Sequence, residues 1–239
     1  MNFTFLPNLI TLLNLFLGCI AVLLLIENNL EVKYIFIISA TCLVLDYLDG
    51  FIARKLNIKS DIGLQLDSLA DLVSFGLVPG ILVYNMINAA PSSFLGSISS
   101  SFIPFIGFFI TLCSAYRLAR FNTRKSSSEY FIGLPTPANT LLIYSLSIIS
   151  AEKGAFSNII LNTNSLILIT VISSMLLITN LKLMNFKFKT LSIRQNKLRF
   201  LIILISASLL ILLDIYAIPM IILSYVLISV MNFYFFKTR

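Results

Sequence analysis

Eight apolar stretches, separated by short polar segments, run through the whole chain. A membrane-spanning helix needs about 20 mostly apolar residues. Backbone groups inside hydrocarbon need internal hydrogen-bond partners, which leaves helices or closed barrels. Because these stretches are continuous rather than alternating, they predict helices. The predicted helices cover Phe5–Ile26, Tyr34–Ile52, Leu66–Ile87, Phe102–Leu118, Ala138–Ala151, Leu161–Leu181, Phe200–Leu213 and Ile215–Phe236.

The composition supports a membrane protein. Of the 239 residues, 58% are hydrophobic and only 11% are charged, whereas about a quarter of the residues of a soluble domain are charged. Most of the surface must therefore face lipid. The sequence predicts an all-α, polytopic integral membrane bundle. The last two helices are separated only by Asp214 and its neighbours, which indicates a hairpin.

Two features limit the possible chemistry. The chain has no histidine, which excludes a Ser-His-Asp triad, a Cys-His pair and histidine metal ligation. Acid–base chemistry must therefore use Asp, Glu, Lys, Tyr or Cys. The three cysteines, Cys19, Cys42 and Cys113, lie inside apolar stretches without disulfide or zinc spacing, which is typical of small buried residues.

The net charge of +7 comes from basic residues that flank the apolar stretches. This placement indicates membrane topology and anionic lipid rather than nucleic acid as the partner. The basic segments follow the second, fourth, sixth and eighth helices, and the alternate connections are neutral or slightly acidic. The positive-inside rule then predicts that both termini and all basic loops are cytoplasmic. The role of the basic loop 182–199 is left open.

Five of the ten acidic residues lie between Asp46 and Asp71. Asp46 and Asp49 are spaced i,i+3, and Asp67 and Asp71 are spaced i,i+4, so each pair shares one helix face. The short connection between the second and third helices makes them antiparallel neighbours. Four carboxylates are therefore predicted to meet near the cytoplasmic surface.

Such a cluster is costly without cations. One Asp at mid-membrane costs ~2.5–3.5 kcal/mol, and two carboxylates ~4 Å apart repel by roughly 4 kcal/mol at an effective dielectric of about 20. Oxygen ligands select hard ions such as Mg²⁺, Mn²⁺ or Ca²⁺. Two divalent ions would balance four carboxylates and attract a pyrophosphate.

The alternative is that salt bridges to the basic residues of the connecting turn merely orient the two helices. Small residues interleaved among the acids favour the metal site, because they let helices approach closely and leave room for a nucleotide. They are Gly50, Ala53 and Gly63.

The acidic segment reads D-x2-D-G-x2-A-R-x8-G-x3-D-x3-D and resembles the signature of the CDP-alcohol phosphotransferase family at every position. Three later segments look like the membrane-embedded phosphatidylserine synthase branch of that family. They are Ser74–Gly76 with Pro79, Arg117–Asn122 and Gly133–Ala138. The resemblance implies a six-helix catalytic core, taken as residues 1–199, with a C-terminal hairpin, 200–239, packed on the same bundle.

The resemblance also implies roles for the acidic residues. Asp46, Asp49 and Asp67 would ligate two divalent ions, Mg²⁺ or Mn²⁺. Asp71 would touch the same metal site and act as the catalytic base, taking a proton from the acceptor hydroxyl.

Substrate-binding residues follow from the same resemblance. Gly50 and Ala53 would make room for the cytidine moiety of CDP-diacylglycerol, and Arg54 and Gly63 would belong to its nucleotide and phosphate site. Asn8 would lie near the phosphates, although a residue at a helix start after Pro7 can equally have a structural role. Three basic residues are candidates for the acceptor carboxylate and are equally well explained as cytoplasmic anchors. They are Arg117, Arg120 and Lys125.

The expected reaction transfers the phosphatidyl group from CDP-diacylglycerol to L-serine and gives phosphatidylserine and CMP. Glycerol 3-phosphate, inositol or an inositol phosphate are alternative acceptors. A carboxylate-lined cation transporter is a further alternative, but the acids lie in one hairpin near one surface, without a matching second half.

The resemblance implies a homodimer, and we expect a bacterial cytoplasmic membrane as the location, with the active site facing the cytoplasm.

Overall fold

The computed structural model describes residues 5–27, 31–58, 60–91, 102–123, 130–152, 155–186 and 196–236. Helices dominate the described residues, and two short strands accompany them. The helices are α1 (Leu6–Glu27), α2 (Val32–Lys55), α3 (Asp61–Leu72), α4 (Val78–Ala89), α5 (Phe108–Thr123), α6 (Thr136–Ala151), α7 (Ala155–Ile160), α8 (Thr163–Ile178), α9 (Lys197–Leu213) and α10 (Ala217–Val230). The strands are β1 (Tyr130–Ile132) and β2 (Lys182–Met184).

The predicted polytopic helical bundle is confirmed, with helices at all eight predicted positions. Within the described ranges, five stretches are long and apolar enough to cross a membrane: α1, α2, α3 with α4, Ile103–Thr123 and Lys197–Tyr234. The last stretch contains α9 and α10, which pack against each other. Asp214 separates them with a φ of 48°, a backbone conformation that ends a helix. The predicted C-terminal hairpin is therefore present.

The two strands were not expected from the sequence. β1 pairs antiparallel with β2 in the register Tyr130↔Met184, Phe131↔Leu183 and Ile132↔Lys182. Strands of three residues are too short to show an alternating pattern. The ribbon joins the segment before α6 to the segment after α8, and it places the start of α6 beside the end of α8.

A π turn at Val73–Leu77 joins α3 and α4 into one continuous helix. Pro79 has no backbone N–H, so the Phe75 carbonyl loses its usual partner four residues ahead. The Thr140 hydroxyl compensates, since its oxygen lies 3.0 Å from the Phe75 carbonyl oxygen and 3.0 Å from that of Thr136. The turn directly after Asp71 is thus anchored to α6.

Small residues allow close helix packing on both sides of this turn. A Cβ atom added at Gly18 would lie 2.5 Å from the Ser74 hydroxyl oxygen, and one added at Gly107 would lie 2.6 Å from the Gly80 carbonyl oxygen. Neither distance leaves room for a methyl group. The contacts fix α1 and the turn before α5 against the long helix that carries Asp67 and Asp71.

Two hydrophobic clusters form the interior. The larger one lies among α1, α2, α4, α5, α6 and α8, and the smaller one joins Leu134 and β2 to α9 and α10. The outward faces stay apolar, as at Ile211, whose side chain is 84% exposed. An exposed apolar surface of this kind is expected to contact lipid acyl chains.

We expect Thr140→Val to destabilise the protein. The substitution keeps the side-chain shape but leaves the buried Phe75 carbonyl unsatisfied, which costs about 1–3 kcal/mol. Thermal unfolding in detergent should show a lowered Tm. Thr41→Val is the matched control, because the exposed Thr41 hydroxyl bonds only the Ile37 carbonyl of its own helix, at 2.9 Å. Equal Tm values for the two variants would contradict this account.

Candidate active site

Three carboxylates converge between α2 and α3. One oxygen each from Asp46, Asp49 and Asp67 lies within 4.8 Å of the other two. The two helices meet because only residues 56–60 connect them, and Ser60 begins α3 by accepting a hydrogen bond from the Gly63 N–H at 3.1 Å. Oxygen donors at this spacing fit a hard divalent cation.

Salt bridges from Arg54 and Lys55 do not account for this cluster, and Lys59 lies outside the described residues. In the described part of the chain, no nitrogen of Arg54 or Lys55 comes within 4.0 Å of a clustered carboxylate oxygen. Arg54 is exposed and interacts with Asp49 only at longer range. Among the described residues, the acids are therefore brought together without a cation at salt-bridge distance, which favours the metal site over a purely orienting role.

Helix α1 contributes a residue to which the sequence analysis gave no role. The Thr11 hydroxyl oxygen lies 2.5 Å from Asp49 Oδ2 and 3.0 Å from the Pro7 carbonyl oxygen. Thr11 is buried, so this contact is shielded from water. A hydrogen bond to one carboxylate oxygen orients the other toward a ligand. The sequence signal was the resemblance of the first helix to the family, which includes Pro7, Asn8, Thr11 and Asn14.

A cavity of about 340 Å³ opens beside the cluster, between α1, α2 and the start of α3. It contains four of the five residues predicted to bind the nucleotide donor: Asn8, Gly50, Ala53 and Gly63. The remaining lining residues are Pro7, Thr11, Asp49, Ile58, Ser60, Asp61, Leu64 and Asp67.

The glycines of the cavity make close contacts with neighbouring side chains. A Cβ atom at Gly63 would lie 2.9 Å from Asn8 Oδ1, and one at Gly50 would lie 3.1 Å from Arg54 Nη1. A side chain at Gly63 would displace Asn8, and one at Gly50 would press on the Arg54 guanidinium. Arg54, the fifth predicted donor-binding residue, thus lies against Gly50, outside the set of residues that lines the cavity.

Asp71 lies one helical turn beyond Asp67 and differs from the other three acids. It is 9% exposed and is not part of the group that shares the 4.8 Å spacing. Its Oδ1 atom is buried and has no hydrogen-bond partner in the described ranges. It interacts electrostatically with the three clustered acids and with Arg117. Asp71 therefore borders the cluster, and its roles as ligand and base stay predictions.

The three residues predicted to bind the acceptor carboxylate have different surroundings. Arg117 on α5 interacts with Asp71, as stated above. Arg120, one turn later, donates from Nη1 to the Ile178 carbonyl at 3.0 Å and from Nη2 to Asn180 Oδ1, so it binds the end of α8. Lys125 lies outside the described residues.

Asn122 is a second residue whose contact the sequence analysis did not foresee. Its Nδ2 atom donates to Ser68 Oγ at 2.8 Å. Ser68 lies one turn before Asp71 on α3, so this bond ties α5 to the helix that carries the acids. The only sequence signal was its place in the segment Arg117–Asn122.

Comparisons with known proteins are consistent with this site. The sequence model of the family described as CDP-alcohol phosphatidyltransferase matches residues 4–174. A CDP-diacylglycerol–serine O-phosphatidyltransferase of Bacillus subtilis (strain 168) is 36% identical over 147 residues, which cover 60% of this chain and 75% of the relative. The enzyme of the same name from Helicobacter pylori (strain J99) is 32% identical over 206 residues, 85% of this chain and 80% of the relative.

An archaeal relative is similar over a shorter part of its length. The archaetidylserine synthase of Methanothermobacter thermautotrophicus is 35% identical over 147 residues, 60% of this chain and 58% of the relative. The region matched by the family model contains all four clustered or bordering acids, the cavity and Arg117. With this match over most of its length, the chain belongs to the CDP-alcohol phosphatidyltransferase family.

Proposed function

We propose that this protein transfers the phosphatidyl group of CDP-diacylglycerol to L-serine, giving phosphatidylserine and CMP. The observation that carries the proposal is the convergence of three carboxylates beside a cavity lined by small residues, in a chain of this family. The serine acceptor is supported by the relatives from Bacillus subtilis and Helicobacter pylori that are named CDP-diacylglycerol–serine O-phosphatidyltransferase, at 36% and 32% identity.

Asp46, Asp49 and Asp67 would hold Mg²⁺ or Mn²⁺, with two ions bound and Asp71 at the edge of the site. Bound divalent ions would neutralise the donor pyrophosphate and stabilise the leaving CMP. Thr11 would keep Asp49 oriented through its hydrogen bond to Oδ2. The carboxylate-only donor set fits these hard ions and disfavours soft metals.

The cavity between α1, α2 and α3 would take the nucleotide end of the donor. Gly50, Ala53 and Gly63 leave the space, and the Asn8 amide would donate to the phosphates. Arg54, which is exposed next to Gly50, would contribute positive charge at the rim. The acyl chains of the donor would lie along the apolar outer faces of the helices.

Asp71 would act on the acceptor. Its buried Oδ1 atom, which has no partner among the described residues, would accept the proton of the serine hydroxyl. The serine oxygen would then attack the phosphorus attached to diacylglycerol, and the bond to CMP would break. Arg117, which interacts electrostatically with Asp71, would bind the serine carboxylate and place the hydroxyl near the base.

The chain is proposed to work as a homodimer in the bacterial cytoplasmic membrane. Its termini, basic loops and active site would face the cytoplasm, as the charge distribution predicts. Residues 1–199 would form the catalytic domain, with 200–239 as a hairpin on the same bundle.

Asp67→Asn and Asp71→Asn should fail in different ways. Loss of a ligand weakens metal binding, so Asp67→Asn should need far more metal to bind CDP-diacylglycerol. Loss of a base slows the chemical step by ~10²–10⁴-fold, so Asp71→Asn should bind donor and metal but release CMP very slowly. Titration of donor and metal, combined with turnover, separates the two effects.

Asp214→Asn is the control for this pair, because Asp214 is an exposed acid far along the chain from the cluster and Asn tolerates its positive φ. Its turnover should equal that of the wild type. Near-normal turnover of Asp71→Asn, or its rescue by metal alone, would exclude the role of Asp71 as base.

The acceptor is tested with purified protein and labelled CDP-diacylglycerol. CMP release should depend on L-serine and should be much slower with glycerol 3-phosphate, inositol or inositol phosphate at saturating donor. Faster release with one of these alcohols would show that serine is the wrong acceptor. No acceptor-dependent release at all would favour the transporter alternative.

Topology is tested by cysteine labelling in a cysteine-free background. The helix Asp61–Ala89 has 29 residues and is therefore about 43 Å long. This length exceeds the thickness of the bilayer core, about 30 Å. The exposed residues Lys55 and Asn88 should therefore lie on opposite sides. An impermeant reagent should label Asn88→Cys in intact spheroplasts and Lys55→Cys only after permeabilisation. The reverse pattern would invert the proposed orientation.

A further inference from the structure

Helix α6 begins with buried polar groups that have no role in the reaction as proposed. Thr136 and Asn139, the first and fourth residues of the helix, are both 0% exposed. The hydroxyl oxygen of Thr136 and both side-chain amide atoms of Asn139 have no hydrogen-bond partner among the described residues. A buried polar atom without a partner is costly, and a bound ligand that supplies the missing partner removes this cost.

The same end of α6 is suited to an anion. Pro135 precedes the helix, and no side chain in the described part of the chain caps it. Pro137 has no N–H, so the first turn offers the N–H groups of Thr136 and Ala138. Unpaired N–H groups and the helix dipole favour a carboxylate or phosphate at such an end. The unpartnered side-chain atoms of Thr136 and Asn139 are a second, independent indication that a ligand binds here.

The backbone that leads into α6 is held in place. Gly133, with a φ of 72°, donates its N–H to the Leu181 carbonyl at 2.9 Å, and Leu134 donates to the Leu176 carbonyl at 2.8 Å. A Cβ atom at Gly133 would lie 2.5 Å from the Leu177 carbonyl oxygen. The start of α6 is therefore fixed against the end of α8, and a rigid backbone of this kind is what a binding site requires.

Contacts with the long helix place the start of α6 on the side of Asp71. The Thr140 hydroxyl contacts the Phe75 carbonyl at 3.0 Å. Beyond this contact, α6 packs along α4, and Tyr144 joins the larger hydrophobic cluster with residues of α4. The two helices thus run in the same direction away from the π turn. One turn before Thr140 and Phe75 lie Thr136 on α6 and Asp71 on α3.

Helix α5 brings Arg117 to the same level. The Thr111 hydroxyl donates to the Gly76 carbonyl at 3.0 Å, and the bond from Asn122 to Ser68 lies eleven residues later on α5. Between these two contacts, α5 and α3 run antiparallel, and Arg117 lies near the midpoint, level with the proposed base. The Arg117 Nε atom is buried and has no partner within the described ranges.

We propose that the start of α6 completes the acceptor site: the Thr136 hydroxyl, the Asn139 amide and the free N–H groups bind the carboxylate of the acceptor, opposite Arg117. The inference rests on the proposed function and deepens it. In serine, the carbon that bears the carboxylate is bonded to the carbon that bears the hydroxyl. A carboxylate held at the start of α6 therefore leaves the hydroxyl free to reach Asp71. Because these polar atoms are closed to solvent, the acceptor enters by opening the space between α3 and α6.

The test is Thr136→Val, which keeps the shape of the side chain and removes its hydroxyl. Loss of a hydrogen bond to a charged group should raise the KM for L-serine about tenfold. The KM for CDP-diacylglycerol should change by less than about twofold. The Tm should not fall, since the hydroxyl has no partner in the described part of the protein. Asn139→Leu should also raise the serine KM, whereas Thr136→Ser, which keeps a hydroxyl, should stay near the wild-type KM.

Thr163→Val is the matched control. Thr163 is likewise the first residue of a buried helix start, but its hydroxyl contacts the Pro91 carbonyl at 3.1 Å, beyond the far end of α4. This variant should lower the Tm and leave the serine KM unchanged. A serine KM of Thr136→Val within about twofold of the wild type would overturn the inference, as would an equal rise in the KM for CDP-diacylglycerol. A lower kcat at unchanged serine KM would assign these groups to Asp71 instead and would also overturn it.

Ethanolamine, which is serine without its carboxylate, tests which part of the acceptor is bound. Thr136→Val should lower kcat/KM for L-serine about tenfold and leave the slower reaction with ethanolamine unchanged. The ratio of the two kcat/KM values should therefore fall about tenfold. A ratio that stays at the wild-type value would show that the start of α6 does not bind the carboxylate.

Failure of the acceptor assignment is distinguishable from failure of this inference. Wild-type CMP release that prefers glycerol 3-phosphate or inositol would overturn serine as the acceptor, and the inference would fall with it. Wild-type release that prefers serine, combined with an unchanged serine KM in Thr136→Val and Asn139→Leu, would overturn only the role of α6.

Discussion

Mutual repulsion among carboxylates is the constraint on which this structure depends. Asp46, Asp49 and Asp67 are held with one oxygen each within 4.8 Å, and Asp71 borders them at the end of the same helix pair. At an effective dielectric of about 20, each close pair costs roughly 4 kcal/mol. The helices can be held in this arrangement only because other contacts force them together. A divalent ion bound among the carboxylates would remove their mutual repulsion and would attract the donor pyrophosphate.

Those other contacts come from different parts of the bundle. Thr11 binds Asp49 from α1, Asn122 binds Ser68 from α5, and Thr140 binds the Phe75 carbonyl from α6. Each hydrogen bond contributes a net stabilisation of about 1 kcal/mol. All three are made to α2 or to the long helix that contains α3, which carry the acids. The large hydrophobic cluster on the far side of the π turn provides the remaining support.

The sequence predicted the helices well because a long apolar segment in lipid must satisfy its own backbone hydrogen bonds, and a helix is one of the few structures that does so. It also predicted that the acidic residues converge, and the structure brings Asp46, Asp49 and Asp67 together. It did not predict the ribbon between Tyr130–Ile132 and Lys182–Met184, whose partners lie about 50 residues apart and are too short to show a pattern. Arg117 and Arg120 share a sequence context, and only the tertiary arrangement shows that Arg117 interacts electrostatically with Asp71 while Arg120 binds the end of α8.

The π turn at Val73–Leu77 has a geometric consequence for the whole long helix. One extra residue in a helical turn rotates everything that follows by about 100° relative to an uninterrupted α-helix. The residues before the turn face the acidic cluster, while those after it, such as Gly80 against Gly107, face a different neighbour. The inserted residue thus sets the rotation between α3, which carries Asp67 and Asp71, and α4, which packs against the residues before α5. Deletion of one residue from this turn would rotate α4 by about 100° relative to α3 and turn Gly80 away from Gly107.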